Sequence, residues 1–313
     1  MNNSKTLLIT GACGFVGRNL TNYLLANKDI FDKIVVCCRD DKAAQTLYKP
    51  QQRLIITRSN LNNPSSYLNI FKTHTPTHVI HLAAIARFKQ GEEAPLETIN
   101  SNFFGTIELL KMARQYGTKK FLVASSNLAR NPKGVTGVSK YLTEAYIKTL
   151  NPVPETFSIR LPNVMDSPGA VTLLFKNQIE KGLPITITDK RMSRKFVTPR
   201  QTAKDLLFAL NTGHHTDVFI NNKPSTPIVE LAEKMIKQSK KDILIRFVGK
   251  RPGEKLEEED YPGDTIVLTS ENNLFRLIEN QHTPKNILKA IGLLNGKVPE
   301  ETINKIKAVL NIK

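Results

Sequence analysis

The stretch "LITGACGFVGRNL", residues 8–20, carries Gly11, Gly14 and Gly17 out of an apolar run and into a helix-forming segment. In a strand–turn–helix setting each glycine has its own task. Gly11 makes the tight turn, Gly14 lets backbone approach a pyrophosphate, and Gly17 lets the helix pack on the strand. The anion then meets free N–H groups at the helix N-terminus, with Cys13, Phe15 and Val16 filling the rest of the turn. A glycine spacing alone is cheap, so its meaning depends on the pattern of the chain beyond it.

That pattern is a regular alternation. The strand candidates are "KTLLIT", "KIVVCC", "RLIIT", "THVIHLA", "KKFLVAS" and "TFSIR", with helical patterns starting near Phe15, Asp40, Pro64, Ala94 and Gly134. Strand and helix in strict turn predict parallel βαβ units, hence an α/β fold with a doubly wound parallel sheet of the Rossmann type. The strands are apolar throughout, as expected where helices cover both faces. "LETINSNFFGTIELLKMARQYG" has helical spacing and stops at Gly117. Past Arg160, Pro, Gly and Asn punctuate the chain, with helices near 170–181, 199–211 and 226–240. The expectation is a dinucleotide-binding domain over 1–160 and a smaller substrate lobe over 161–313, part of the sheet being shared.

Composition sets outer bounds. Of 313 residues 40% are hydrophobic and 23% charged, an ordinary globular balance. The longest apolar runs fall short of a membrane span. Cys13, Cys37 and Cys38 form neither an even set nor a metal spacing, so reduced thiols, no metal site and a cytoplasmic setting are expected. The formal charge of +17 is spread along a chain that lacks Trp and any arginine-rich run with interleaved aromatics. A basic surface or an anionic substrate fits that better than nucleic acid.

The second strand ends "VVCCRDD". A carboxylate at a strand tip holds the ribose hydroxyls of NAD, whereas an arginine there suits the 2′-phosphate of NADP. Arg39 occupies that place with Lys42 behind it, which favours NADP and leaves NAD open. The alternative is a surface ion pair between Arg39 and Asp40. Asn60 and Leu61 after the third strand, and Ala83 and Ala84 after the fourth, complete the expected cofactor wall.

"TGACGFVG", "HLAAIA", "NSNFFGT", "SSNLARNPKGVTGVSK", "RLPNVMDSPGAV", "ITITDKRMSRKFVT" and "RPGEKLEEE" occur in this order along the chain. Together they resemble the extended short-chain dehydrogenase/reductases of the polysaccharide-biosynthesis type, the UDP-N-acetylglucosamine 4,6-dehydratases. The resemblance covers roughly residues 5 to 260, and is closest to the short soluble branch that lacks an N-terminal membrane domain. It implies a UDP-amino sugar as substrate and a homo-oligomeric assembly. It also implies that Lys140 binds the nicotinamide ribose. In such enzymes the 4-hydroxyl proton goes to a base, usually a Tyr four residues before that Lys, and an Asp-Lys pair after the fifth strand performs the elimination; in members with Met at the Tyr position the Lys of that pair serves as the base.

The sequence departs from that pattern where protons move. Thr136 stands at the Tyr position, and Asn127 and Leu128 stand where Asp and Lys are expected. "AAIARF" places Ala86 and Arg87 where Lys-His is common. Asn and Leu do not titrate near neutral pH, and a threonine hydroxyl is far less acidic than a phenol. On the substrate side the resemblance is kept: Asn163 near the sugar diphosphate, Arg194 facing phosphate, and Arg251 with Glu254 as a clamp on the uridine ribose. Two readings stay open at this point. One is a nucleotide-sugar enzyme of altered chemistry; the other is an inactive homologue that binds NADP and a UDP-sugar as a regulator or partner.

Overall fold

The computed structural model of the chain describes residues 4–27, 30–132, 134–221, 223–250, 255–257, 265–271 and 273–278. The N-terminal half runs β1 (Thr6–Thr10), α1 (Phe15–Ala26), β2 (Lys33–Cys38), α2 (Asp41–Leu47), β3 (Leu54–Arg58), α3 (Leu68–His74) and β4 (His78–His81). It continues through α4 (Phe88–Glu93), α5 (Pro95–Ile99), α6 (Gly105–Gln115), β5 (Lys120–Ser126), α7 (Val135–Ile147) and β6 (Glu155–Leu161). The C-terminal half adds β7 (Asn163–Val164), α8 (Val171–Glu180), β8 (Ile185–Ile187), β9 (Ser193–Arg194), β10 (Phe196–Val197) and α9 (Pro199–Thr212). After these come β11 (Val218–Asn221), β12 (Thr226–Pro227), α10 (Ile228–Ser239), β13 (Ile245–Phe247), β14 (Thr265–Leu268) and β15 (Leu274–Ile278).

Nine strands form the main sheet in the order β14-β15-β11-β6-β5-β4-β1-β2-β3. The order reverses at β1, so the carboxyl ends of β1 and β4 flank a crevice, where open α/β sheets place their ligands. The run from β3 to β11 is parallel, and β15 and β14 add an antiparallel edge. The chain past residue 161 is thus shared out: β11, β14 and β15 extend the main sheet, while Phe175, Ile179, Ile185, Ile187, Met192, Phe196, Ile228 and Ala232 bury a core of their own.

The period-two geometry of β1 explains its unbroken apolar run. Leu7 and Ile9 join the cluster of Leu20 and Leu24 from α1 and Leu206 and Leu210 from α9. Leu8 enters the opposite cluster with Phe71, Leu109 and Leu110. α1 has no side-chain N-cap, which typically contributes about 1 kcal/mol. Burial of Leu20, Leu24 and Leu25 outweighs that, at roughly 1.5–3 kcal/mol each. α5 and α6 are parts of one helix joined by a π-helical turn over Asn100–Phe104. Its C-terminus closes at Gly117, φ +73°, with Thr118 N donating to Ala113 O (2.9 Å) and Gly117 N to Arg114 O (3.3 Å).

Candidate active site

The glycine turn has the shape its spacing predicts. Gly11 has φ +68°, and a Cβ there would lie 2.6 Å from Ala83 N. A Cβ on Gly17 would lie 2.3 Å from Gly11 O, so only glycine lets α1 start this close to β1. Gly14 caps α1 at the exposed mouth of the turn and brings no side chain to cover the first-turn N–H groups. This cradle, which a side chain would fill, fits a dinucleotide pyrophosphate. Two pins hold it that the motif does not announce: Tyr48 OH donates to Ala12 O at 2.6 Å, and Ala12 N to Cys37 O at 3.3 Å.

The expectation of three reduced thiols is corrected here. Cys13 in the turn and Cys38 at the tip of β2 are disulfide-bonded, with Cα atoms 5.7 Å apart. The physical reason is register. β1 and β2 pair with Thr10 opposite Cys37, which sets the next residue of β2 beside the turn. Cys37 points to the other face, hydrogen-bonds Thr57 at 3.3 Å, and remains free, its thiol pushed up to about 11 by burial.

Arg39 and Lys42 are exposed just past the β2 tip, and Asn60 is exposed in the turn after β3. Leu61 is buried, its side chain in the cluster of Tyr67 and Phe71. Ala83 and Ala84 are half-buried after β4, the backbone of Ala83 lying against Gly11.

A buried relay fixes this edge, and sequence reasoning missed it. Thr106 Oγ1 donates to Asn102 O (2.7 Å), so it accepts from His81 Nε2 (2.9 Å). Nδ1 of His81 then accepts from Thr10 Oγ1 (2.7 Å), which in turn accepts from Ala83 N (3.2 Å). Burial pushes His81 down to about 3, so the ring is neutral, as this bonding requires. From the π-helical turn, the Asn102 side chain pairs with both Ile85 N (2.7 Å) and Ile85 O (2.9 Å) and reaches Ser139 Oγ (3.0 Å). The π-helical turn and the buried polar residues of "NSNFFGT" thus position the loop after β4. A histidine inside an apolar strand, "HVIHLA", was the signal available.

Lys140 lies on α7 with its ammonium against the end of β5, Nζ donating to Ala124 O at 2.7 Å. Burial lowers its pKa to about 8, against the opposing pull of Glu144. Glu144 accepts from Ser125 Oγ (2.5 Å) and from Arg160 Nη2 (2.6 Å) and Nε (3.0 Å), an ion pair with both side chains under 5% exposed. Asn127 and Leu128 sit on a single 3₁₀ turn directly after β5, capped by Ser126 Oγ accepting from Leu128 N at 3.2 Å.

Thr136 is 1% exposed, and its Oγ1 has no hydrogen-bond partner among the described residues. A Cβ on Gly91 would come within 2.2 Å of that hydroxyl, so α4 closes directly over it. Glu92 on α4 accepts from Val135 N at 2.7 Å, capping α7 where Gly134 has no side chain to do so. Arg87 is exposed at the N-terminal edge of α4. Thr136→Val is therefore expected to leave thermal stability equal or slightly higher, because it removes an unsatisfied buried hydroxyl. A melting point lowered by several degrees would contradict this packing.

On the substrate side Asn163 Nδ2 donates to Lys195 O (3.2 Å), tying β7 to β10. Arg194 lies on β9. Its guanidinium donates to Ser193 O (2.7 Å), Leu256 O (2.9 Å) and Lys255 O (2.7 Å), so here it clamps the strap at residues 255–256 onto the lobe. Asp189 of the same segment is spent on its own turn, accepting from Arg191 N (2.9 Å) and Nε (3.0 Å). Arg251 and Glu254 lie outside the described residues.

The order of strands, the glycine turn and the lysine on α7 define a Rossmann-type protein of the extended short-chain dehydrogenase/reductase class. The chain belongs to the polysaccharide biosynthesis protein family, whose model matches residues 7–279. It is 32% identical over 271 residues to the capsular polysaccharide biosynthesis protein CapD of Staphylococcus aureus, covering 82% of this chain. The match spans 45% of that relative's length. It is also 32% identical over 270 residues to UDP-glucose 4-epimerase of Rickettsia conorii, covering 80% of this chain and 76% of the relative. Among solved structures, Pen from Bacillus thuringiensis superposes with a TM-score of 0.78 at 27% identity, covering 90% of this chain and 89% of Pen. Among the described residues no helix is long and apolar enough to cross a membrane, and no cluster of three potential metal ligands forms.

Proposed function

We propose that the chain binds NADP and a UDP-amino sugar and modifies that sugar, in the synthesis of surface-polysaccharide or glycan precursors. A bound nicotinamide supplies hydride exchange with a sugar carbon. The observation that carries the reading is Lys140, held at the carboxyl edge of the sheet beside the end of β5 and shifted to about 8. Elimination of water calls for a donor–acceptor pair that Asn127 and Leu128 do not supply. Hydride exchange at C4 calls for one proton acceptor, and Lys140 is a group at this edge that exchanges a proton near neutral pH. Epimerisation or reduction at C4 therefore suits these residues better than dehydration. The test is chromatography of UDP-N-acetylglucosamine after incubation with protein and NADP, in which a C4 epimer is expected. Binding without conversion would favour the second reading, an inactive partner, which the closed position of Thr136 supports.

Two predictions probe the binding sites. NADP(H) should raise the melting temperature more than NAD(H), because exposed Arg39 and Lys42 can meet a 2′-phosphate. Arg39→Ala should erase the difference, and equal shifts before mutation would remove Arg39 from this role. UDP should bind calorimetrically, and Arg251→Ala should weaken it by roughly 1–3 kcal/mol if the arginine makes a charge-assisted contact. Unchanged affinity would end the ribose-clamp assignment.

A further inference from the structure

The second cysteine of "VVCCRDD" and the cysteine inside "TGACGFVG" are well separated along the chain, yet the fold brings them together. They join the two walls between which this class of fold grips the adenosine half of a dinucleotide: the first glycine turn and the tip of β2. We propose that Cys13 and Cys38 are a reversible thiol–disulfide pair that fastens the glycine turn to β2 and so sets the grip on the dinucleotide. The proposal rests on the dinucleotide reading of that turn.

Three observations single out this pair. The Cα separation of 5.7 Å lies within the range a disulfide spans without moving backbone. Cys13 is half-buried in a surface turn, next to the residue that caps α1, where a small disulfide can reach it. Cys38 is 3% exposed beneath it, placed to resolve rather than to initiate. Cys37 serves as the internal contrast: one residue away, it faces the opposite core and has no sulfur partner.

The chemistry balances with a low-molecular-weight disulfide as oxidant. The Cys13 thiolate attacks one sulfur of RS–SR, breaking that bond, forming a mixed disulfide and releasing RS⁻, which takes up a proton. The Cys38 thiolate then attacks Cys13 Sγ and expels the second RS⁻. Two protein thiols have lost two electrons and two protons, and one RSSR has become two RSH. A dithiol reverses the sequence. Cys38 sits in the core and Cys13 packs against that core, so closing the bond orders the turn. The closed form is thus the tighter binder, by preorganisation.

The experiment equilibrates the full-length protein in oxidised or reduced glutathione, alkylates it under denaturing conditions, and measures intact mass and NADP affinity. In oxidised buffer one of the three cysteines should alkylate, and in reduced buffer all three. The oxidised form should bind NADP roughly 2- to 10-fold more tightly, the weight of about one pre-ordered group. Cys13→Ser and Cys38→Ser should each abolish the ratio, while Cys37→Ala should keep it. Three alkylated thiols in oxidised buffer would overturn the pair, and equal affinity in the two forms would overturn its control of binding. If the pair closes and neither form binds NADP or NAD, the dinucleotide reading itself falls. Mass reports closure without any cofactor, so the two failures are distinct.

Discussion

UDP-N-acetylglucosamine incubated with this protein and NADP is expected to keep its water, with no measurable 4-keto-6-deoxy product. The elimination needs one group to remove the C5 proton and another to protonate the departing 6-hydroxyl. The 3₁₀ turn after β5 offers an amide and an isobutyl group for these tasks, Asn127 and Leu128. Each acid–base group typically contributes 10²- to 10⁴-fold, so two absent groups remove most of the rate, though not additively. The reverse experiment is Asn127→Asp with Leu128→Lys. The turn's backbone is held by the Ser126 hydroxyl and the carbonyl of Asn127, neither of which the substitutions remove. The double variant should produce 4-keto sugar at least roughly 100-fold above the wild-type background. Thr136→Tyr is left out of this design, since the backbone of α4 at Gly91 occupies the space a phenol would enter. Strong dehydratase activity in the unmodified protein would show that another side chain carries these protons.

Much of this architecture was legible in the residues because it rests on local rules. The six strands of the N-terminal half fall where β-branched runs sit between helical patterns, and Gly11 and Gly17 occupy positions where a side chain would collide with backbone. What the chain hides is whatever depends on register between distant segments. Cys13 and Cys38 are 25 residues apart and meet only because β1 and β2 pair in one register. The relay through Thr10, His81, Thr106 and Asn102 draws on β1, β4 and the long helix, and no single window of sequence contains it. The carbonyls of Lys255 and Leu256 that Arg194 meets lie far along the chain from it, so this contact too is set by tertiary placement.

Glu144→Ala is expected to destabilise the protein by about 3–5 kcal/mol, the usual cost of leaving one member of a buried ion pair without its counter-charge. The pair sits in the interior, with Arg160 at 2% and Glu144 at 4% exposure, so water cannot replace the lost carboxylate. The same carboxylate accepts the Ser125 hydroxyl and opposes the desolvation of Lys140. Removing it therefore takes both carboxylate oxygens away from the Arg160 guanidinium and from the Ser125 hydroxyl, and pushes Lys140 further down, away from its charged form. Replacing both partners should cost less than replacing one. Glu144→Leu with Arg160→Met removes both charges together, and burying matched apolar groups in place of a pair is often neutral. Denaturant unfolding of the two variants checks this, the single one showing the larger loss. A smaller loss in Glu144→Ala than in the double replacement would mean that Arg160 finds another anion or water, and that the pair does not hold α7 against β6.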